Sequence, residues 1–375
     1  MYNPIKAGDS ISSTWGNAVE KALGYGTPGQ AYYVMWKSET TYYARNGLTG
    51  ERTENDNFKT LINDKILELY GSTGTGTGGS IFLHPALYST DGTINMRPGV
   101  HIFGSGKIGS DSFTTLVNTM IFATTDATIF SFKFPDATKC YNSGLHNMEI
   151  DGYGHVTSYP LIDISCDYQN VADIYLDTLG IAYGKYGIRV NNAHASNAIF
   201  NLFIRECSIE SNSYNGILID SSTDQSIFQS HILGCHFYNN NASGGNGTIE
   251  VDGHETRQGI ISHSTFTSEK RNGIYLADEA DSWVIANNVL IDCSQLTDDT
   301  YSGIKLVDVD HISITGNVSI IRTSATRQKY GYEADNNCDY LCVLGNVFSG
   351  DTAGASYGTG AANIGSAVTN VDETV

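Results

Sequence analysis

The chain has 375 residues, 40 of them acidic and 21 basic, which gives a formal net charge of −19 at pH 7. A surface of this charge repels nucleic acid and anionic membrane, so we expect neither as a partner, and it also disfavours a strongly acidic glycan. No stretch of eighteen apolar residues is present, so insertion of a helix into a membrane is not expected.

The start of the chain and the cysteines indicate the compartment. Residues Met1–Asp9 are polar and lack the apolar segment of a signal peptide. The seven cysteines, an odd number, lack the paired spacing of a disulfide framework or a zinc site. We therefore expect synthesis in a reducing cytoplasm, buried free thiols (Cys207 and Cys235 among them) and no cofactor.

Two units are predicted ahead of the main repeat. Residues 1–27 form a helical element, which ends at a run rich in Gly and Pro. Residues 28–75 hold a hairpin and then an amphipathic helix over Phe58–Tyr70, with Asn55 or Asp56 as its N-cap. A helix at this place can cover the open end of a repeat protein.

The most informative pattern is an Asn-Val pair that recurs every 29 residues at Asn288, Asn317 and Asn346, each time after an alternating apolar run. Such a period predicts a solenoid built of short strands. The same slot is traced backwards on period and alternation to the following residues: Ser264, Cys235, Cys207, Asp177 and Asn147. We interpret the Asn residues as structural, stabilising turns and stacking from coil to coil.

A second pattern places a glycine at the start of a short alternating strand in successive coils. Its members are Gly187, Gly216, Gly247, Gly273, Gly303 and Gly331. We expect each glycine to supply the backbone freedom of a sharp corner. Together the two patterns predict an all-β protein, a right-handed parallel β-helix over residues 76–350, followed by a small-residue tail over 351–375.

An acidic column stands just past the glycine-initiated strands. Its members are Asp220, Asp252, Asp278, Asp308 and Asp335. Two explanations stay open: the aspartates form hydrogen bonds to the backbone of the turns, or some pair of them acts on a ligand. The column could also recruit a divalent cation, either structural or bridging to the ligand.

The best candidate site is the segment that follows Thr248. Asp220 and Asp252 are the predicted acid and base or nucleophile, because glycoside hydrolysis needs two carboxylates about 5–9.5 Å apart. Glu250 is the third candidate catalytic residue, and the predicted substrate-binding residues are His254, Arg257 and Tyr214.

Two segments carry a family resemblance. The run Gly78 to Tyr88, followed by Pro98-Gly99-Val100 and by Gly104 and Gly106, resembles the opening segment of pectate-lyase-like right-handed β-helix proteins. These include polysaccharide lyases, glycosidases and viral tailspikes. The start Asn3–Ser12 is similar to the head-binding beginnings of phage tail-fibre and tailspike proteins. The motif set of polygalacturonases is absent, so pectin cleavage is not implied.

The resemblance implies a tailspike-like protein of the virion, released by lysis and attached to the tail or baseplate through its N-terminus. It implies a homotrimer that binds, and in one interpretation depolymerises, a host surface polysaccharide. A non-catalytic adhesion or structural rod and a cellular polysaccharide lyase or glycoside hydrolase remain as alternatives. Hydrolase chemistry, lyase chemistry and no catalysis all stay open.

Overall fold

The structure is a computed structural model that describes residues 32–71, 78–107, 118–134, 140–166, 170–192, 197–221, 227–253, 255–322, 328–349, 356–358 and 371–373. The predicted helical element at 1–27 lies outside the described residues, as does most of the predicted tail at 351–375. Across the described chain the strands form a parallel β-helix, which confirms the predicted fold class.

The first unit is a small antiparallel sheet with one helix. Strands β1 (Tyr32–Ser38), β2 (Thr41–Asn46) and β3 (Arg52–Asn55) pair in order, so the predicted hairpin is confirmed. Helix α1 (Phe58–Tyr70) has the predicted bounds. Its N-cap is Asn57, not Asn55 or Asp56, because the side chain of Asn57 accepts the backbone N–H of Thr60 at 2.9 Å.

The coils of the β-helix contribute strands to three parallel sheets, here called A, B and C. Sheet A continues from β1 through β4 (Gly79–Leu83), β7 (Val100–Phe103), β10 (Cys140–His146), β13 (Val171–Asp177), β16 (Ile199–Arg205), β19 (Ile227–Leu233), β22 (Thr256–Arg257), β23 (Ile260–Ser262), β26 (Val284–Ala286), β29 (Ser313–Thr315) and β32 (Cys342–Leu344).

Sheet B contains β5 (Ala86–Thr90), β8 (Thr119–Ala123), β11 (Glu149–Asp151), β14 (Gly180–Ala182), β17 (Ser208–Glu210), β20 (His236–Tyr238), β24 (Thr265–Thr267), β27 (Val289–Ile291), β30 (Val318–Ile320), β33 (Val347–Ser349) and β35 (Val371–Glu373). Sheet C contains β6 (Ile94–Asn95), β9 (Phe130–Phe132), β12 (Pro160–Ser165), β15 (Tyr186–Asn192), β18 (Ile217–Ser221), β21 (Gly247–Gly253), β25 (Asn272–Ala277), β28 (Ile304–Val307), β31 (Tyr332–Ala334) and β34 (Ser356–Gly358).

Alternation along each strand separates the core from the surface. In β18, Ile217 and Ile219 are fully buried, and Ile217 is the register partner of Ile249 in the next coil. Leu218 and Asp220 therefore face outward. This alternation fixes which side chains of sheet C can meet a ligand.

The Asn ladder is present between sheets A and B, and its members Asn288, Asn317 and Asn346 are buried. The residue with positive φ is the one before each of them, as at Asn287 and Gly316, so the ladder Asn does not itself adopt the left-handed conformation.

Two early members of this ladder were predicted wrongly. The backbone N–H of Ser208 bonds to the carbonyl of Leu179, as that of His236 bonds to Cys207, so Leu179 occupies the slot and not Asp177. In the same way, the backbone N–H of Gly180 bonds to the carbonyl of Met148, so Met148 and not Asn147 occupies the slot in that coil. The spacing of the coils varies here, and a fixed period loses the register.

The glycine ladder also needs a correction. In the register of sheet C, Thr248 and not Gly247 stands level with Gly216 and Gly273, because Gly247 pairs with Asn272. The ladder glycines have no left-handed φ; instead, a Cβ at Gly273 would lie 2.6 Å from a side-chain carbon of Leu290. They are small because the core stack leaves no room.

The cysteines agree with the prediction of free thiols at the described positions, with one difference. Cys207 and Cys235 are buried in the slot between sheets A and B. Cys342 is exposed, because Val343 is the residue of β32 that faces the core. The expectation of a buried thiol was therefore wrong at Cys342.

Candidate active site on the outer face of sheet C

Asp220 and Asp252 are direct register partners on the neighbouring strands β18 and β21. Both side chains face outward, since Ile219 and Val251 fill the core. Parallel neighbours are separated by about 4.8 Å, so the two carboxyl groups stand side by side. The structure thus brings the two predicted carboxylates together.

The next two members of the acidic column, Asp278 and Asp308, are displaced by one residue, whereas Asp335 stands level with Asp220 and Asp252. The register partner of Asp252 on β25 is Ala277, so Asp278 lies one position later, in the turn. Asp308 also follows its strand, and both residues have positive φ. The backbone N–H of Asp308 donates to Asp335 at 3.2 Å, which is the turn-stabilising role that the sequence left open.

Asp220 and Asp252 differ in their electrostatic surroundings. Asp220 faces a cation, with its Oδ2 3.6 Å from Nη2 of Arg189. Burial, and after it the neighbouring carboxylates of Asp278, Glu250 and Asp220, raise the pKa of Asp252 to about 6. Two carboxyl groups in unequal surroundings are the arrangement expected of an acid and its partner.

Glu250 lies two residues before Asp252 on the same outward face, but it is held by local hydrogen bonds. Its Oε2 accepts from Asn215 Nδ2 and from the backbone N–H of Asn246 at 2.7 Å, and its Oε1 accepts from Asn246 Nδ2 at 2.7 Å. This geometry anchors the loop that precedes β21. A carboxylate with both oxygens engaged is poorly placed to transfer a proton or attack a substrate.

The predicted substrate-binding residues occupy different places. Tyr214 lies in the turn that precedes β18, with Lys185 Nζ 4.8 Å from its ring centroid. Arg257 is on sheet A in β22, where it pairs with Glu255 at 3.2 Å. His254 lies outside the described residues.

Sequence reasoning missed Tyr275 as a part of this face. Tyr275 is the register partner of Glu250, and it points outward between the core residues Ile274 and Leu276. Alternation in β25 was the available signal, but only the register shows which carboxylates surround the ring. Arg189 was missed for the same reason.

The described residues contain no group of three or more His, Cys, Asp or Glu side chains arranged to hold a metal ion. What the face does present is an acid with a raised pKa directly beside a second carboxylate. Their strand spacing is close to the separation of about 5–5.5 Å found in retaining glycosidases.

No protein-family model matches the sequence, and no curated protein matches it. Solved structures with a similar fold include the enzymatically active domain of tailspike protein 2 from Bacteriophage CBA120, at 14% identity and a TM-score of 0.49, over 78% of this chain and 47% of that chain. Another is the A-module of mannuronan C-5 epimerase AlgE4 from Azotobacter vinelandii, at 15% identity and 0.43, over 85% and 95%.

A third is the DFA-IIIase of Arthrobacter chlorophenolicus A6, at 12% identity and a TM-score of 0.46, over 84% of this chain and 87% of that one. At these identities the likeness concerns the fold. The chain spans about half the length of the tailspike chain it resembles. In the described part of the chain, no helix has the length and apolar character needed to cross a membrane.

Proposed function

We propose that the protein is a tailspike-like β-helix that binds a host surface polysaccharide along the outer face of sheet C and hydrolyses it. The observation that carries the proposal is the register pair of Asp220 and Asp252. Two outward carboxyl groups on adjacent strands are needed neither by the core nor by a turn. Like charges this close destabilise the fold, so stability does not explain the pair.

Each carboxyl group has a role in the proposed reaction. Protonated Asp252 donates its proton to the glycosidic oxygen as the bond breaks, and Asp220 attacks the anomeric carbon as its carboxylate. Water then displaces Asp220 from the glycosyl intermediate, with Asp252 now accepting the proton from that water. Arg189 holds Asp220 in position. Glu250, Arg257 and Tyr214 remain candidates, with Glu250 better suited to fixing the loop before β21.

The test is incubation with a panel of host polysaccharides, with detection of new reducing ends and of unsaturated uronate absorbance. Wild type should release reducing ends without uronate absorbance, and Asp220→Asn and Asp252→Asn should abolish release. Asp163→Asn is a matched control, because Asp163 is an outward carboxylate of sheet C that pairs with Lys133 at 3.3 Å. Full activity in either aspartate variant would contradict the assignment, and uronate absorbance would indicate a lyase.

A non-catalytic adhesion role is the second candidate, and one observation favours it. Asp310 accepts the backbone N–H of Asp339 at 2.9 Å, and Asp281 accepts that of Asp310 at 2.9 Å. Asp281 and Asp310, which lie in successive coils, therefore stabilise the turns next to them. Glycan binding without cleavage across the panel would support this candidate.

The setting in a virion belongs to the same proposal. Residues 1–27 would attach the protein to the tail or baseplate, and three copies would assemble into a homotrimer. The −19 charge favours a neutral or cationic glycan over an acidic one. Sedimentation velocity of the full chain tests the trimer, and binding of purified tails to a deletion of residues 1–27 tests the attachment.

A further inference from the structure

The outer face of sheet A is apolar over much of its length. Ile204 and Ile232 are fully buried in the core, so the residues that alternate with them face outward. In register order the outward residues form two lines, one of Tyr175, Phe203, His231, Ile260 and Val284 and one of Phe200 and Phe228. Val284 is 37% exposed, and Leu344 on the last strand is 42% exposed. Contiguous apolar surface of this kind marks contacts with other molecules.

The aromatic side chains of this face are held rigidly. The ring centroids of Tyr175 and Phe203 lie 5.1 Å apart, as do those of Phe203 and His231, and all three rings are stacked. Phe200 and Phe228 stack at 5.5 Å. Because each ring is fixed by its neighbour, a partner that packs on the face pays little of the entropy of ordering side chains.

Charge distinguishes sheet A from the other two sheets. Its strands from β4 to β32 carry two aspartates, Asp173 and Asp177, and two arginines, Arg205 and Arg257, so their formal charges cancel. Asp177 and Arg205 also pair directly, at 2.7 Å. Among the described strands, those of sheet B carry five acidic and no basic side chains, and those of sheet C carry five acidic and two basic ones.

This distribution of charge indicates which partner the face fits. Two copies of a chain with a formal charge of −19 repel each other, and the repulsion is weakest where neutral surfaces meet. Sheet A supplies such a surface, and sheets B and C do not. A second copy of this chain can therefore approach sheet A more closely than it can approach either of the other sheets.

The dimensions of the face suit a stable association. The ten strands from β4 to β32, each about 4.8 Å from the next, give a length of about 43 Å. With strands about 10–23 Å long, the face covers on the order of 700 Å², close to the roughly 800 Å² that each partner contributes to a stable interface. Three such sheets turned toward a common axis stand about 5–7 Å from it, close to half of the ~10 Å that separates packed sheets.

We propose that the outer face of sheet A is the surface through which three copies of this chain associate, with parallel rods and the three sheets turned toward a common axis. The inference rests on the homotrimer of the proposed function and names its interface. Phe200, Phe203 and Phe228 lie in the middle of this contact. Asp220 and Asp252, on sheet C, stay on the outside of the assembly, where a polysaccharide can reach them.

The test is sedimentation velocity of the full chain at neutral pH, with two variants that each place a carboxylate in the contact. Phe203→Glu changes the middle of the face, and Val284→Glu changes a side chain that is already partly exposed. Wild type should sediment as a trimer. In each variant the apparent Kd of the trimer should rise at least about tenfold, because three like charges meet near the axis.

Tyr238→Glu is the matched control, because Tyr238 is an outward aromatic residue of sheet B and is 43% exposed. It should leave the trimer intact. Thermal unfolding of each variant shows that the fold is retained, and Val284→Glu decides the test if Phe203→Glu does not fold. A trimer that persists in Val284→Glu, or that dissociates equally in Tyr238→Glu, would overturn the interface.

The inference and the proposed function fail in distinguishable ways. If wild type and Val284→Glu are both trimeric, the interface is wrong and the homotrimer stands. If wild type is monomeric, the interface and the homotrimer are both wrong. The release of reducing ends through Asp220 and Asp252 tests the hydrolase separately, because neither residue lies on sheet A.

Discussion

Asn288 and Asn317 stack in adjacent coils, with Nδ2 of Asn288 donating to Oδ1 of Asn317 at 3.0 Å. The same oxygen accepts the backbone N–H of Asn288 at 2.9 Å. Asn317 repeats both bonds to Asn346 at 3.0 and 2.8 Å. Each amide therefore satisfies buried turn groups of its neighbour, and the column holds the coils in register.

Replacing Asn317 with alanine should lower the free energy of unfolding by about 2–4 kcal/mol, because two buried donors of Asn288 lose their acceptor. Chemical denaturation measures the change. Asn337→Ala, at an exposed asparagine in a later turn, should cost less than about 0.5 kcal/mol. Equal effects of the two variants would show that the ladder contributes nothing particular to stability.

A second ladder, between sheets B and C, ends in a carboxyl group. Asn212 Nδ2 donates to Asn240 Oδ1 at 3.0 Å, and the backbone N–H of Asn240 donates to Oε2 of Glu269 at 2.9 Å. Thr248 Oγ1 donates to the same oxygen at 2.7 Å. Glu269 is fully buried, and burial raises its pKa from 4.5 to about 7.

The raised pKa of Glu269 predicts that the protein loses stability as the pH rises from 4.5 to about 7. Below pH 4.5 the Glu269 carboxyl is protonated in both states, whereas between pH 4.5 and about 7 only the unfolded state ionises, so stability falls as pH rises. Glu269→Gln stays neutral and should be more stable than wild type at pH 8 by up to about 3 kcal/mol, with the difference vanishing near pH 4. Denaturation curves at several pH values measure this, and a difference independent of pH would contradict it.

The fold could be predicted from the sequence because one coil resembles the next. The period, the alternation and the Asn-Val pair are each repeated, and errors in single coils average out. Register within a coil was less accessible: Leu179 and Met148 occupy slots assigned to Asp177 and Asn147, since coil length varies there. Side-chain burial does not follow from a fixed period.

The site was predictable only in its central pair. Asp220 and Asp252 are adjacent because both follow the same core pattern, which the sequence shows. The anchoring of Glu250 by Asn215 and Asn246 depends on loop geometry, and the position of Arg257 on sheet A depends on where a turn ends. Neither is encoded in residue spacing.

Two glycines illustrate two different constraints and give a paired prediction. A Cβ on Gly331 would lie 2.7 Å from the ring of Phe348, so Gly331→Ala should destabilise the fold by about 1–3 kcal/mol. Gly345 has φ +66° and open space around it, and the equivalent turn position holds Asn287 with φ 56°. Gly345→Asn should therefore be nearly neutral. Thermal unfolding of both variants checks the pair, and the reverse order of effects would be inconsistent with this assignment.

The dependence of cleavage on pH follows from Asp252. As a proton donor it must be protonated, so kcat/KM should decline as pH rises through about 6, the pKa of its carboxyl group in the folded protein. After burial, the nearby charge of Asp278 is the next cause of that raised pKa. Asp278→Asn removes this charge, so the pKa of Asp252 should fall and the alkaline limb of the profile should move to lower pH, since a lone carboxyl releases its proton more easily. Steady-state measurements of kcat/KM between pH 4 and 8 on the polysaccharide that wild type cleaves would show the shift.

The control is Asp163→Asn, whose profile should superimpose on that of wild type, because Asp163 pairs with Lys133 two strands away from Asp220. An alkaline limb that stays in place in Asp278→Asn would mean that Asp252 is not the proton donor.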